Sequence, residues 1–542
     1  MRSPFPPFDY ESARRNFSFS VPEDFNFAFD IVAARASKHD KTALIAINRS
    51  GDQVSYYRYS DLEQQSNRFA NALLAMGIEK GDTVLLVLPR IPAWYFVILA
   101  CTKIGAIAMP GTNQLKAKDL AYRIHRSDAK LAVVAGPHAE AIESIQADCP
   151  TLRQRILVGE ARSGWEHFES LCAQASDQLD RSMIPPTRAD ESMLIYFTSG
   201  TTSMPKMVAR DHAYALAHGI TARYWQDLRE SDVHWTLTDT GWAKAAWGLL
   251  YPPLLAGASI VLYDGEGFDL AMHLKIIAQH RVSTFCAPPT IYRLMAKADL
   301  TGADFSALRH CFGAGEPLNP EAMRAWKQAT GCDIYDGYGQ TETINIVANF
   351  PGMAIRPGSM GKPCPGLMVD VVDELGQILP AHELGHIAVK ITDPYPPGLF
   401  RGYYRDEATT ANVFRHGWYY TGDTATRDED GYIWFVGRSD DIISSSGYRI
   451  SPFEVESTLI EHPAVAEAAV IGKPDPIRGE IVKAFISLSK GFRPSDELAA
   501  EIQTFVKAQT APYKYPREIE FRESLPKTIS GKIRRVALRE LP

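Results

Sequence analysis

The chain of 542 residues carries 57 Lys and Arg against 64 Asp and Glu, a formal net charge of −7, with 45% hydrophobic and 22% charged residues. This length allows more than one domain around a large core, and the composition is that of an ordinary globular protein. The negative charge argues against a nucleic-acid partner, and seven scattered cysteines without a CxxC pair argue against a disulfide framework or a zinc site and favour a reducing compartment.

The N-terminal stretch, "MRSPFPPFDYESARRNFSF", lacks an apolar segment and carries acidic residues, so it resembles neither a secretory signal nor a good transit peptide. Residues 93–110 are strongly apolar, but Lys103 interrupts them and they are too few to span a bilayer. We predict a buried helix followed by a strand there. The expectation is a cytoplasmic protein without stable membrane insertion, with a bacterial cytosol favoured and a mitochondrial matrix left open.

Helical periodicity alternates with short apolar runs along most of the chain. "YSDLEQQSNRFANALLAMG" predicts a helix capped by Ser60 and ending at Gly77, and "DTVLLVLP" predicts a buried strand after it. The same order recurs in "DLAYRIHRSDAKLAVVAG", "DLAMHLKIIAQHRVSTFCAPP" and "EAMRAWKQATGCDIYDGYG". This alternation predicts an α/β fold with mostly parallel sheets.

The pattern changes near residue 400. "GWYYTGDTATRDEDGYIWFVGRSDD" predicts a hairpin with a turn at residues 428–431, and the remainder forms a compact, relatively basic unit. We therefore predict a large N-terminal body of several subdomains, residues 1–437, a hinge at 438–441, and a small mobile C-terminal α+β lid domain, residues 442–542.

The stretch "TSGTTSMPK" at residues 198–206 follows the strand predicted at 193–197. Its hydroxyls, backbone N–H groups and terminal Lys206 suit a polyphosphate, although it lacks the second glycine and the following helix of the Walker pattern. A polar surface loop explains this stretch alone equally well.

Further motifs accompany it: "YDGYGQTET" at 335–343, "YTGD" at 420–423, "GRSDDIISSSGYRIS" at 437–451 and "PKTISGKIRR" at 526–535. In this order and spacing, over nearly the whole chain, they resemble the adenylate-forming superfamily of acyl-CoA synthetases, peptide-synthetase adenylation domains and luciferases. "MPGTNQL", "DTGW", "HPAVAEAAVIGKPDPIRGE" and "TAPYKYPREIEF" place the nearest resemblance with medium-chain acyl-CoA synthetases. One departure is Ser203, where the family usually has glycine.

The resemblance implies two steps: a carboxylate attacks the α-phosphorus of ATP, releasing pyrophosphate, and the thiol of CoA then displaces AMP. It implies ATP and CoA as substrates and Mg²⁺ at Glu342, whose plainer interpretation is a charge at a helix N-terminus. It assigns catalysis to Lys532, Thr341 and the hinge residue Asp440. Lys532 would reach the carboxylate and the α-phosphate; otherwise it is a solvated tail lysine.

The resemblance also implies three binding sets. The ATP set comprises Thr198, Ser199, Gly200, Thr201, Thr202, Ser203, Lys206, Gly315, Glu316, Pro317, Asp336, Gly337, Tyr338, Gly339, Gln340, Thr341, Asp423, Arg438, Arg449 and Lys532. The CoA set, each member of which taken singly resembles ordinary surface, comprises Gln114, Ser446, Gly447, Tyr448, Arg478, Lys507, Tyr515, Pro516 and Arg517. The acyl set comprises Trp242, which a plain core position also explains, Gly313, Ala314, Gly339 and Thr341.

The predicted function is an ATP-dependent acyl-CoA synthetase acting on a medium-chain or cyclic or aromatic carboxylic acid. Alternatives are a benzoate-type aryl-CoA ligase and an adenylation enzyme that loads a carrier protein; the latter is disfavoured because no carrier sequence follows and the CoA-type positions are present. A non-catalytic nucleotide-binding protein is opposed by Lys206, Asp423 and Lys532. The context "PKTISGK" also resembles a lysine-acetylation site, so an acetyltransferase and deacetylase acting on Lys532 are candidate partners.

Overall fold

The computed structural model describes residues 9–198, 204–296, 298–315, 318, 320–446, 448–527 and 533–540. Its strands, numbered in chain order, are β1 (Thr42–Ile47), β2 (Val54–Arg58), β3 (Thr83–Val87), β4 (Ile107–Pro110), β5 (Leu131–Ala135), β6 (Gln154–Val158), β7 (Glu166–His167), β8 (Ser192–Phe197), β9 (Met207–Asp211), β10 (Val233–Thr236), β11 (Ser259–Tyr263), β12 (Thr284–Cys286), β13 (His310–Ala314), β14 (Ile334–Gly339), β15 (Asn345–Ala348), β16 (Lys362–Pro363), β17 (Val369–Val372), β18 (Gly385–Lys390), β19 (Phe414–Arg415), β20 (Trp418–Arg427), β21 (Ile433–Arg438), β22 (Ile443–Ser445), β23 (Tyr448–Ile450), β24 (Val465–Asp475), β25 (Gly479–Leu488) and β26 (Glu518–Phe521).

The helices are α1 (Tyr10–Arg15), α2 (Ala34–Lys38), α3 (Tyr59–Ala75), α4 (Pro92–Ile104), α5 (Ala117–Ser127), α6 (His138–Ile145), α7 (Phe168–Gln174), α8 (His212–Tyr224), α9 (Ala243–Ala245), α10 (Tyr251–Ala256), α11 (Leu270–Gln279), α12 (Pro289–Ala296), α13 (Pro320–Thr330), α14 (Glu407–Val413), α15 (Pro452–Glu461), α16 (Asp496–Gln509) and α17 (Arg535–Arg539). Two π-helical turns, Ala28–Ala33 and Ala246–Leu250, and two 3₁₀ turns, Gln146–Asp148 and Arg181–Met183, complete the helical segments. None of these helices combines the length and the apolar character that a bilayer crossing needs.

Two large sheets form the core of the body. One has the strand order β7-β6-β5-β3-β4-β8-β9 and is parallel apart from the β8–β9 pair. The other has the order β16-β15-β14-β13-β12-β10-β11-β1-β2, with parallel pairing from β14 through to β1 and antiparallel pairs at both ends. Their strands are apolar on both faces because helices cover them, as in β3 and β13, where every residue is buried.

Two smaller sheets follow. β17, β18, β20, β19 and β21 pair antiparallel, and β20 with β21 forms the predicted hairpin around residues 428–431. β23, β22, β25, β24 and β26 form the last sheet, on which α15 and α16 pack around an apolar cluster that includes Val455, Leu459 and Ile502. The α/β class, the mostly parallel body and the small C-terminal α+β unit are confirmed. The mobility of that unit and its boundary at residues 438–441 stay predictions.

The predicted helix–strand pairs are present, including α4 followed by β4 at residues 93–110. The N-cap predicted at Ser60 is wrong. α3 begins one residue earlier, at Tyr59, where the backbone N–H of Arg58 donates to the carboxylate of Asp61, while the Ser60 hydroxyl donates to Asp40 instead. The Asp61 carboxylate accepts a hydrogen bond from a backbone N–H that would otherwise be free at the start of the helix. It therefore determines the helix boundary, and the Ser60 hydroxyl does not.

Candidate active site

A cavity of about 610 Å³ lies between the body and the C-terminal unit. It opens at the carboxyl ends of β12, β13 and β14, the edge at which ligands commonly bind in parallel sheets. The predicted residues that line it are Thr198, Lys206, Gly315, Asp336, Gly337, Tyr338, Gly339, Gln340, Thr341, Glu342, Asp423 and Arg438. One cavity therefore collects residues from four of the sequence motifs.

The predicted phosphate loop joins two antiparallel strands, β8 and β9. The backbone N–H of Thr198 donates to the Lys206 carbonyl at 3.0 Å, and the Lys206 N–H donates to the Thr198 hydroxyl at 3.3 Å. The Lys206 ammonium lies 4.9 Å from the centroid of the Tyr403 ring. Ser199, Gly200, Thr201, Thr202 and Ser203 lie outside the described residues. A hairpin connection is not the strand–loop–helix of a Walker motif, in agreement with the sequence.

The segment that ends β14 presents Tyr338 to the cavity and needs glycine beside it. A Cβ at Gly339 would lie 2.5 Å from the Ile344 carbonyl oxygen, because β14 runs directly against β15 there. Only glycine permits that approach. The close packing holds Tyr338, Gln340 and Thr341 along one wall of the cavity.

Asp423, on β20, is the centre of a buried hydrogen-bond network. Its Oδ2 accepts from the Tyr338 hydroxyl at 2.6 Å and from the Gln340 amide at 2.7 Å. The Tyr419 hydroxyl donates to the other end of the Gln340 amide at 3.0 Å. Arg438 forms an ion pair with Asp423 at 3.5 Å across the β20–β21 ladder. These contacts fix one carboxylate in the wall of the cavity with its orientation determined.

Glu342 is buried at the opposite end of the same segment. Its Oε1 accepts from the Tyr403 hydroxyl at 2.9 Å, while its backbone carbonyl accepts from Arg210 at 2.7 Å. Burial raises the pKa of Glu342, and the Tyr403 hydrogen bond opposes that rise. Among the residues that the structure describes, no group of three or more His, Cys, Asp or Glu side chains could hold a metal ion. Glu342 could thus supply one ligand of a metal whose other ligands come from a substrate or water.

Asp336 is a buried carboxyl in the cavity wall. Burial raises its pKa to about 8, and the hydrogen bond from the Gly337 N–H, 3.0 Å long, only partly offsets this. The aspartate is thus largely neutral near neutral pH, so it can donate a hydrogen bond as well as accept one.

The C-terminal unit presents Lys527, Ile533 and Arg535 to the cavity. Lys527 and Ile533 form an antiparallel bridge, so the two residues that flank 528–532 are held side by side. Arg535 is paired with Glu456 at 2.7 Å and with Asp441 at 3.4 Å. Lys532 itself lies outside the described residues.

The predicted CoA residues lie away from the cavity. Tyr448 is exposed and stacks on Tyr513 at a centroid distance of 4.1 Å, and Arg478 donates to the Ser446 hydroxyl at 3.4 Å. The Lys507 ammonium lies 3.9 Å from the centroid of the Tyr515 ring, to whose hydroxyl Arg517 donates. Pro516 is buried and Gln114 is exposed in the body. Gly447 lies outside the described residues.

Only some of the residues predicted to bind the acyl group line the cavity. Gly339 and Thr341 line the cavity, whereas Trp242, Gly313 and Ala314 do not. Trp242 is half-buried and immediately precedes α9. A Cβ at the preceding Gly241 would lie 1.9 Å from the Thr112 nitrogen, so this segment is pressed against the loop that carries the predicted CoA residue Gln114.

Two other predicted residues, Arg449 and Asp440, are not among the described residues that line the cavity. Arg449 is exposed on β23, and Asp440 forms an ion pair with Arg438 at 3.7 Å. Glu316 and Pro317 lie outside the described residues. Sequence reasoning missed many lining residues, among them Tyr403, Tyr419 and Arg293. The Arg293 guanidinium donates to the Thr290 hydroxyl at 3.0 Å and has no carboxylate partner among the described side chains. None of the three belongs to a motif that could have drawn attention to it.

Comparison with known proteins gives matches along the whole chain. The family model for AMP-binding enzymes matches residues 31–404, and that for the AMP-binding enzyme C-terminal domain matches residues 454–532. The mitochondrial acyl-coenzyme A synthetase ACSM3 of Rattus norvegicus is 44% identical over 542 residues, covering 98% of this chain and 93% of that protein.

Solved structures match equally completely. The anthranilate CoA ligase AuaEII in complex with anthranoyl-AMP superposes with a TM-score of 0.87 and 34% identity, covering 96% of this chain and 97% of the other. A benzoate CoA ligase from Burkholderia xenovorans LB400 gives a TM-score of 0.82 and 28% identity over 95% of this chain and 100% of the other.

Proposed function

Since the chain belongs to the AMP-binding enzyme family, we propose that it is an ATP-dependent acyl-CoA synthetase that converts a medium-chain or cyclic or aromatic carboxylic acid to its acyl-adenylate and then to its CoA thioester. The reaction class is that of an AMP-forming acid–thiol ligase, and the resemblance to acyl-CoA synthetases is confirmed. The observation that carries the proposal is the single cavity in which Lys206, Tyr338 and Asp423 of the body face Lys527 and Ile533 of the C-terminal unit.

The nucleotide fits the network around Asp423. A fixed carboxylate with two oxygens suits the vicinal hydroxyls of a ribose, and Arg438 beside it limits the cost of burying its charge. Tyr338 offers an aromatic surface to the base, in the cavity that Gly315 also lines. Asp336, kept largely neutral by burial, can accept from an adenine amino group without placing a full negative charge in the cavity.

The triphosphate then extends towards Lys206 and Thr198. Lys206 is a point charge at the closing end of the hairpin loop and suits the β- and γ-phosphates. Glu342 fits a role as a single carboxylate ligand to Mg²⁺ carried by the phosphates, which is the usual way in which proteins bind this ion. Mg²⁺ there would neutralise charge on the phosphate oxygens during adenylation.

Adenylation joins two anions, so a cation must lie between the carboxylate and the α-phosphate. Lys532 is assigned that role, because it directly precedes Ile533 in the cavity wall. Fixed charge placed where the transition state needs it commonly contributes about 10²–10³-fold to a rate. The attacking carboxylate oxygen forms the bond to phosphorus as the bond to pyrophosphate breaks.

Thioester formation needs the other face of the C-terminal unit. Tyr448, Arg478 and Lys507 are absent from the lining of the cavity, to which Lys527 and Arg535 contribute. We therefore assign the second step to a rotated arrangement, with residues 438–441 as the hinge. Hinges absorb backbone changes at a few residues that end structural elements, as these do between β21 and β22.

The acyl site suits an apolar chain or ring. The predicted acyl residues that line the cavity, Gly339 and Thr341, are uncharged, and the names of the anthranilate and benzoate ligases favour an aryl acid as a second candidate substrate class. Each buried methylene contributes about 0.8 kcal/mol, so acetate should be a much poorer substrate than a longer or aromatic acid. A cytoplasmic location, a place in fatty-acid metabolism and acetylation of Lys532 are further proposals; the mitochondrial relative is compatible with a matrix location.

The test is pyrophosphate release over a panel of acids, with CoA or a phosphopantetheinyl carrier protein as acceptor. We expect CoA-dependent thioester formation with butanoate to octanoate or with benzoate-like acids, and a low kcat/KM for acetate. Acetate as the best acid would overturn the substrate assignment. Transfer to the carrier but not to CoA would show a carrier-loading enzyme, and no pyrophosphate release with any acid would refute the function.

A further inference from the structure

Lys244 holds a buried ammonium that the proposed mechanism does not use. Its Nζ is shielded from solvent and finds no oxygen or nitrogen acceptor among the described residues; its polar neighbour there is the thiol of Cys286. Among the described residues, its ammonium contacts the ring of Trp247, whose centroid lies 5.4 Å away. It is absent from every ion pair between described side chains, although the body is rich in carboxylates.

Lys244 lies outside the lining of the described cavity, close to positions that the family resemblance assigns to the acyl group. Lys244 lies on α9, two residues after Trp242, and both are half-buried while the Lys244 nitrogen is shielded. The nitrogen lies beside the thiol of Cys286, where it opposes the rise in the thiol pKa that burial causes. Cys286 ends β12 and pairs in register with Phe312, the residue before Gly313. Lys244 thus reaches the strand edge that carries Gly313 and Ala314.

An ammonium in this place is costly. Removing a charge from water without a partner is unfavourable, and neither contact here makes up the loss: a thiol is a weak acceptor, and a cation–π contact contributes only about 0.5–2 kcal/mol. The π-helical turn Ala246–Leu250 directly after α9 is a further irregularity of the kind found at functional sites. The missing acceptor is therefore one that a ligand can supply.

We propose that Lys244 selects carboxylic acids that carry an acceptor oxygen on the acyl chain or ring, which its ammonium binds. The inference rests on the proposed function and narrows its substrate class. The oxygen can belong to a neutral hydroxyl or carbonyl group or to a second carboxylate, since each accepts a hydrogen bond from an ammonium. An acid with a protonated amine at the same place is repelled, because no carboxylate among the described residues is paired with Lys244.

The experiment compares matched acids: octanoate with its regioisomeric hydroxyoctanoates and octanedioate, and benzoate with its hydroxy derivatives. We expect at least one oxygenated acid to exceed its unsubstituted match in kcat/KM by about 10–100-fold, the range for a hydrogen bond to a charged group. Preference for a hydroxy acid identifies a neutral oxygen, and preference for octanedioate alone identifies a carboxylate.

Lys244→Met keeps an unbranched side chain, one atom shorter, and removes the charge. We expect it to abolish the preference by raising kcat/KM for the unsubstituted acid and lowering it for the oxygenated one, without loss of thermal stability. Lys275→Met, at an exposed site on α11, is the matched control and should leave the ratio unchanged. A merely structural lysine would instead lower the activity with all acids alike.

Two results would overturn the inference. The first is that the wild-type enzyme shows the same kcat/KM for an unsubstituted acid as for each of its oxygenated matches. The second is that Lys244→Met does not change the ratio of kcat/KM between oxygenated and unsubstituted acids. Either result would leave the synthetase function standing, because acids would still be adenylated. Absence of pyrophosphate release with every acid would instead refute the proposed function itself.

Discussion

The phenol oxygen of Tyr338 lies 2.6 Å from Oδ2 of Asp423, to which it donates a hydrogen bond, although the two residues are 85 positions apart. One side chain is assigned to the base of the nucleotide and the other to its ribose. The bond joins the end of β14 in the second large sheet to β20 in the small antiparallel sheet. The proposed nucleotide site therefore depends on the packing of two separate sheets.

Removing the carboxylate should weaken ATP binding strongly. We expect Asp423→Ala to raise the KM for ATP by about 10–100-fold, and Tyr338→Phe, which removes one neutral donor and keeps the ring, by about 3–10-fold. Steady-state kinetics with ATP as the varied substrate measure both. Asp299→Ala, at an exposed position outside the cavity, is the control. An unchanged KM in a folded Asp423→Ala enzyme would contradict the ribose assignment.

Tyr403→Phe tests whether the hydrogen bond from Tyr403 lowers the pKa of Glu342. Burial raises the pKa of Glu342 and the Tyr403 hydroxyl opposes that rise, so loss of the hydroxyl should raise the pKa further. Because the ionised carboxylate is the form that binds a cation, the acidic limb of the kcat/KM–pH profile should move to higher pH. Tyr404→Phe, the neighbouring tyrosine, should leave the limb in place. A limb that does not move in Tyr403→Phe would argue that Glu342 is not the titrating group.

The raised pKa of Asp336 predicts that the stability of the folded protein depends on pH. Its pKa is about 8 in the folded protein and 3.8 in a free side chain, so between these values the folded state retains a proton that the unfolded state loses. Its contribution to stability is fully present below the lower value and is lost as the pH rises through the higher one. Asp336→Asn removes this dependence. We expect the apparent Tm of the variant relative to wild type to increase from about pH 5 to about pH 8; a constant difference would contradict the raised pKa.

Separate half-reactions test the two faces of the C-terminal unit. Lys532→Ala should reduce adenylate formation by about 10²–10³-fold, yet still convert supplied acyl-adenylate and CoA to thioester. Asp440→Pro should form adenylate but make thioester slowly, because proline fixes φ near −65° in the hinge. Rapid-quench assays of each step in both variants give the answer. Equal loss of both steps in each folded variant would show that one arrangement serves both.

Local patterns in the sequence predicted much of the fold. α4 with β4 and α5 with β5 follow from apolar periodicity, which reports burial directly. The start of α3 was mispredicted because the competing interactions of Ser60 involve Asp40, which is distant in the chain.

The site was predictable only where a motif carried it. Asp423 and Lys206 belong to recognisable stretches. Tyr403 belongs to no such stretch. Its role depends on a contact with Glu342, 61 positions away, and no pattern near Tyr403 in the chain predicts that contact. The environment of Lys244 is similarly invisible in the sequence, since a lysine in an amphipathic segment normally reaches solvent.

If Asp423 binds the nucleotide and residues 438–441 form the hinge, as proposed, the ion pair between Asp423 and Arg438 would couple nucleotide affinity to lid orientation. Arg438 is the last residue of β21 and the first of the predicted hinge, and it faces Asp423 across the ladder. A nucleotide bound at Asp423 would then compete with or reinforce this pair and so bias the proposed hinge. Such coupling is reciprocal: whatever factor a lid-restraining substitution imposes on ATP affinity, bound ATP imposes on the lid.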